Sequence, residues 1–120
     1  MRIYTSYYAK MKDRWWEYAL VRISTNSPAW FPVGLSCLPE LYPGWELVSG
    51  IKERRITWGE YQLRYNAILA KLCRDDIMRK LWELSDLEGG RDVVLLCYEA
   101  AGKLCHRHLV AEWLGNAEEL

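Results

Sequence analysis

A small three-layer α/β domain, Rossmann-like or flavodoxin-like with a mostly parallel central sheet, is the fold class this sequence predicts, and three observations carry the prediction. Residues 92–99, "DVVLLCYE", form a continuous apolar run bounded by glycines and a charged end, the pattern of a strand buried on both faces. Such a strand needs helices above and below its sheet, and two segments downstream of Thr57 repeat apolar residues at helical spacing. Two short runs near the start, "RIYTSYY" and "YALVRIS", are rich in strand formers. The 120 residues, half of them apolar or aromatic, suffice for one domain spanning 1–120 without disulfide staples.

The elements follow in order. Arg2 to Tyr8 and Tyr18 to Ser24 are the first two strands, the second with a Leu20-Val21-Ile23 centre. About nine residues separate them, short for a parallel crossover, so one helical turn through "MKDRWWE" is the bridge a parallel pair would need, and the direction of the pair stays open. Thr25 to Gly50 holds all four prolines with Trp30, Phe31, Tyr42 and Trp45, and reads as a long irregular loop, either a lid or a strap tacked down by its rings. Thr57-Trp58-Gly59-Glu60 has capping-box spacing and starts a helix whose apolar stripe is Tyr61, Tyr65, Ile68, Leu69 and Leu72. Asp75 or Asp76 caps a second helix with Ile77, Leu81, Leu84 and Leu87 as its inward row, stopped by Gly89-Gly90. The buried strand comes next, then a turn at Ala100 to Leu104 and a helix beginning near Cys105 with Leu109, Val110, Trp113 and Leu114 inward.

Composition excludes several classes of function. Sixteen basic and sixteen acidic side chains cancel, so no overall field draws the protein to a membrane surface or favours nucleic acid as a partner. The densest charge run, Lys52-Glu53-Arg54-Arg55, reads as a solvated face. No segment has the length of a membrane span or signal peptide, which predicts a cytoplasmic protein. Cys37, Cys73, Cys97 and Cys105 are widely spaced, so reduced thiols are expected. Seven tryptophans and eight tyrosines against one phenylalanine favour half-buried rings, as at a binding surface.

Chemistry concentrates after the buried strand, in "LLCYEAAGKLCHRHLVAEWL". Ligands of open α/β sheets bind beyond the carboxyl ends of strands, where helix N-termini point free N–H groups outward. Alternation puts Cys97 and Glu99 on one face with Leu95, and Tyr98 on the other. At 100° per residue His106 looks inward, while His108 lies about 200° away, so the two histidines do not share one metal. Cys105 and Arg107 flank the buried face in the first turn, where the helix dipole favours a thiolate and a bound anion. Cys105, His106 and Glu99 are therefore the candidate catalytic groups, as nucleophile, proton carrier and the carboxylate orienting Arg107. Candidate ligand contacts are Arg107, Cys97, Ser6, Thr25, Ser27, Trp30 and Tyr61.

Specific mechanisms fare worse. A phosphatase loop needs Cys-x5-Arg, but that count from Cys97 reaches Lys103 and from Cys105 reaches Ala111. The wide spacing of Cys97 and Cys105 misses that of paired zinc thiolates, and no metal or cofactor is expected. There is no glycine-rich phosphate loop and no Gly-x-Ser-x-Gly. The structural alternative is a core Cys97, a Glu99–Arg107 ion pair and a His106 bonded to a backbone carbonyl.

The stretches "SYYAKM", "SPAWF", "ITWGEYQLRYNAIL" and "DVVLLCYEAAGKLCHRHLVAEWL" resemble the small bacterial and phage proteins grouped as domain-of-unknown-function family four-eight-eight, over nearly the whole chain. The hallmark is a buried strand ending in Cys-x-Glu, a short turn and Cys-His-Arg, matched by Cys97, Glu99, Cys105, His106 and Arg107. The resemblance implies an α/β fold with this cluster as its site and no established reaction. Members often carry a basic residue before the proline of the second loop, where this chain has Thr25-Asn26-Ser27-Pro28. The expectation is an enzyme-like domain binding a small anionic or nucleotide-like ligand at the strand end. The alternative is a non-catalytic module gripping a protein or nucleic-acid partner with the Trp/Pro-rich loop.

Overall fold

A computed structural model describes residues 1–98 and 104–120. Strands β1 (Ile3–Tyr7), β2 (Ala19–Arg22), β3 (Ser36–Cys37), β4 (Val93–Cys97) and β5 (Ala117–Glu119) form one sheet in the order β3-β2-β4-β1-β5. Every pairing is parallel. β4 is the central strand, with Tyr7 opposite Cys97 on one side and Arg22 opposite Leu96 on the other. All of its residues are buried, as the unbroken apolar run requires.

The helices are α1 (Tyr8–Met11), α2 (Trp45–Lys52), α3 (Trp58–Ala70), α4 (Arg74–Leu87) and α5 (His106–Leu114). Alternation along the strands divides the core in two. Val21, Ile23, Val93, Leu95 and Cys97 pack with Leu47, Tyr65, Leu81 and Val110, beneath α2 to α5. Leu20, Val94 and Leu96 face the opposite way, against Tyr8, Met11 and Phe31. An α/β architecture with a parallel sheet is thus what forms, consistent with the Rossmann-like or flavodoxin-like expectation, and one of its outer layers is thin.

The open question between the first two strands resolves as parallel. Both pair with β4, so the connection steps over one strand, using α1 and a single 3-10 turn at Trp15–Glu17. The expected start of α3 is present, with Thr57 Oγ1 accepting from the Glu60 N–H at 3.1 Å. Cys73, rather than Asp75 or Asp76, is the N-cap of α4, and the two aspartates sit in its first turn, where they meet the positive end of the dipole.

Three further differences from the sequence-based expectation stand out. The loop expected from Thr25 to Gly50 contains β3, a 3-10 turn at Pro39–Leu41 and the first turns of α2, which starts after Gly44 at a φ of 90°. A two-residue strand held by pairing to β2 has no periodicity of its own to read. Leu87, placed in the inward row of α4, is 80% exposed. At 100° per residue it lies about 80° round the helix from Ile77, off the buried stripe. Finally, β5 was not expected, since "AEE" carries no strand former. Gly115, at a φ of 81°, ends α5 and turns the chain, and the free edge of β1 then supplies the partner, with Thr5 opposite Glu119.

Candidate functional site

β4 delivers Cys97 to the carboxyl edge of the sheet, and Cys105 follows as the extended N-cap of α5. The two sulfurs are joined as a disulfide, against the expectation of reduced thiols, while Cys37 and Cys73 are free and exposed. The end of β4 and the start of α5 lie side by side, so separation along the chain does not become separation in space. Glu99, expected at the strand tip, lies outside the described residues.

His106, the first residue of α5, is buried between the sheet and α3. Its Nε2 lies 2.7 Å from the Ile23 carbonyl oxygen and its Nδ1 3.7 Å from Cys105 Sγ. A carbonyl only accepts, so the neutral ring carries its proton on Nε2 and turns the Nδ1 lone pair toward sulfur. Burial pushes the imidazole pKa down to about 4, the carbonyl contact opposes this, and the charge on Arg107 adds to it, so the ring is neutral near pH 7. Tyr65 meets the ring edge-on at 5.4 Å between centroids and donates its hydroxyl to the Leu41 carbonyl at 2.7 Å. Tyr61 and Trp58 continue the series of rings outward, the latter two stacked at 4.9 Å.

Arg107 is wholly buried. Its guanidinium reaches both oxygens of Glu119 at 3.0–3.1 Å through Nε and Nη2, and Nη1 donates to Cys97 Sγ at 3.1 Å. It also lies 5.6 Å from the centre of the Tyr7 ring. Thr5, opposite Glu119 across the β1–β5 pairing, donates its hydroxyl to the same carboxylate at 2.5 Å. Among the described residues, then, the carboxylate that orients Arg107 is Glu119. Burial of the guanidinium is tolerable because its planar fork matches the partly exposed Glu119 carboxylate with two donors. Glu119 was missed because nothing in the sequence signals β5.

A cavity of about 510 Å³ opens at the carboxyl ends of β2 and β4. Of the candidate residues, Cys97, Cys105, His106, Thr25 and Tyr61 line it. Arg107 is not among its walls and stands behind Cys97. Ser6 is buried off the cavity, on the side of β1 opposite to Thr5, and its hydroxyl finds no partner among the described residues. Ser27 and Trp30 also lie outside the wall; Trp30 packs obliquely on Phe31 at 6.0 Å. The sequence reading missed Trp45, Trp58, Tyr98 and Lys52 as wall residues. Lys52 reads in the sequence as part of a solvated charge run, Trp45 as a ring of the long loop, Trp58 as a member of the capping box and Tyr98 as facing away from Cys97.

The start of the cavity loop is anchored from below. Ser24 donates its single hydroxyl proton to the Asn26 carbonyl at 2.7 Å, so the Tyr8 hydroxyl, 2.6 Å away, is the donor to Ser24 Oγ. Burial pushes the Tyr8 pKa up to about 12, which keeps this donor protonated.

No curated protein and no solved structure gives a significant match to the chain. A family model does, DUF488-N3a, described as the active DUF488-N3 subclade, over residues 6–118. The matched span takes in β1, the cavity loop and the Cys97 to Arg107 cluster, and the chain belongs to this DUF488 family.

Proposed function

We propose that this is an enzyme-like cytoplasmic domain that binds a small anionic, nucleotide-like ligand in the cavity and acts on it through a thiol. The observation that carries the reading is His106, held by the Ile23 carbonyl so that its Nδ1 lone pair faces Cys105 Sγ at the cavity wall. In the reduced protein Cys105 is the nucleophile and His106 takes its proton, a dyad oriented by a backbone carbonyl. Arg107 and Glu119 act behind it, holding Cys97 through an N–H to sulfur contact. The flat walls offered by Trp58 and Tyr98 suit a planar group, and Lys52 supplies a cation at the rim for an anionic one. The description of the family as active supports chemistry over a purely structural role.

Reduced native protein treated with iodoacetamide near neutral pH tests this, with modified peptides followed over time. Cys105 is expected to react faster than Cys97, and His106→Gln to slow it roughly 100-fold. Equal, slow modification of both cysteines overturns the nucleophile. A second reading, a binding module for a protein or nucleic-acid partner, is favoured by Trp30 and Trp45, 55% and 78% exposed beside the loop. It takes over if Cys105 proves inert while Trp45→Ala, a change at the rim, abolishes ligand or partner binding.

A further inference from the structure

We infer that, once the disulfide is opened, Cys97 Sγ, Cys105 Sγ and His106 Nδ1 form a binding site for one thiophilic divalent cation of the zinc class, with its fourth position open to the cavity. The inference builds on the cavity as the reacting site, and it names an occupant that the motif spacing alone does not suggest.

Four observations converge. The three ligand atoms all lie within 4.8 Å of one another and all three residues are buried. Nδ1 and Cys105 Sγ are 3.7 Å apart, against about 3.6 Å for a sulfur and a nitrogen on one tetrahedral zinc with ordinary bond lengths. The Cα atoms of the two cysteines stand 7.6 Å apart, wider than the roughly 4.4–6.8 Å usual across disulfides, so the backbone leaves room for an ion between the sulfurs. His106 already makes the outer contact typical of a ligating histidine, its other ring nitrogen bonded to a backbone carbonyl, and Arg107 gives Cys97 a matching N–H to sulfur contact.

Charge balance points the same way. Two thiolates at the cavity wall would add two negative charges, and the adjacent Arg107 already carries its charge against the Glu119 carboxylate. A divalent cation cancels them, and the buried cluster becomes neutral. Three protein ligands facing a cavity leave one tetrahedral position for water or for an anionic oxygen of the ligand, the arrangement of zinc sites that do chemistry. Loading proceeds in two steps. A phosphine and water reduce the disulfide to two thiols, the phosphine becoming its oxide, and the cation then displaces both thiol protons. Bound, the cation engages the Cys105 sulfur, so metal loading and alkylation of Cys105 exclude each other.

Cobalt titration of the reduced full chain, freed of phosphine and kept from air, tests the inference. One equivalent of Co²⁺ is expected to produce a thiolate-to-cobalt charge-transfer band with the intense visible bands of tetrahedral geometry, both abolished by Zn²⁺. The Cys37→Ser/Cys73→Ser double variant keeps the spectrum. Cys97→Ser and Cys105→Ser each weaken binding by roughly 100-fold or more, beyond the about 10–100-fold that loss of an outer-shell partner costs. Circular dichroism of each variant separates loss of a ligand from loss of the fold, and either cysteine variant alone decides the outcome if the other fails to fold. No charge-transfer band in the wild-type protein, or a band that survives in Cys97→Ser/Cys105→Ser, overturns the site. Failed cobalt binding with fast alkylation of Cys105 leaves the nucleophile reading standing; cobalt binding with a sluggish Cys105 removes the nucleophile and leaves the cation site.

Discussion

The two faces of the sheet solve different problems with neighbouring residues of the same strands. One face lies under α2 to α5, and there the chain buries Arg107 and His106 beside the sulfurs of Cys97 and Cys105. The other is closed by α1, the Trp15–Glu17 turn and the proline-containing loop, and among the described residues its buried polar groups are uncharged hydroxyls, those of Ser6, Tyr8 and Ser24. The difference shows what charge burial requires. A desolvated guanidinium or imidazole needs partners fixed in position, and the thick face supplies the Glu119 carboxylate and the Ile23 carbonyl from regular strands or their ends. The thin segments over the opposite face offer mainly rings and a thioether, enough to exclude water and little more.

If this contrast is right, removing a charge partner on the thick face has the largest effect. Glu119→Gln removes the carboxylate that Nε and Nη2 of the wholly buried Arg107 both reach and is expected to cost about 3–5 kcal/mol in urea unfolding. A loss below about 1 kcal/mol would mean that the pair is dispensable and that the thick face is an ordinary apolar core.

Adjacent leucines of β4 sharpen the comparison, because Leu95 and Leu96 are both fully buried and point to opposite faces. Each truncation to alanine is expected to cost about 2–5 kcal/mol, with Leu95→Ala the greater, since a layer of four packed helices collapses into a void less readily than short turns and a loop do. The reverse order would break the distinction between a rigid and a yielding layer.

A pH series addresses His106 alone. In the unfolded chain this imidazole takes up a proton near pH 6.5, whereas in the folded protein burial delays uptake to about 4. Its contribution to stability is therefore full above about pH 6.5 and declines as the pH falls toward 4, by on the order of 3 kcal/mol. His106→Gln, compared with wild type in urea unfolding near pH 7 and near pH 4.5, should remove that part of the slope; an unchanged slope would show that the imidazole is not desolvated.

On the thin face, Tyr8→Phe should cost only about 1 kcal/mol, since it deletes one hydrogen bond to Ser24 and leaves Ser24 bonded to the Asn26 carbonyl. The same substitution reads out at the cavity, because Ser24 and Asn26 are part of its wall.

Much of the site was legible because its logic is local. The unbroken apolar run around β4, the inward phase of His106 and the placing of Cys105 at a helix start all follow from periodicity over a few residues. What escaped depends on pairs distant in sequence. Glu119 reaches Arg107 only because the β1 edge recruits three residues with no strand character. Lys52 and Trp45 become cavity walls only because α2 forms within a segment whose prolines suggested a loop.

The amino-acid order by itself determined an α/β chain with one interior strand, the Thr57-capped helix and a cluster of cysteine, histidine and arginine at that strand's carboxyl end, since each rests on contacts within a turn or two. Tertiary structure alone decided that two sulfurs far apart in the motif meet, that Arg107 is spent on a carboxylate rather than turned to the cavity, and which rings line the opening. The reason is physical: alternation and helical phase assign a side chain to a face, but only the packing of distant segments determines what waits on that face, and how much water is left there.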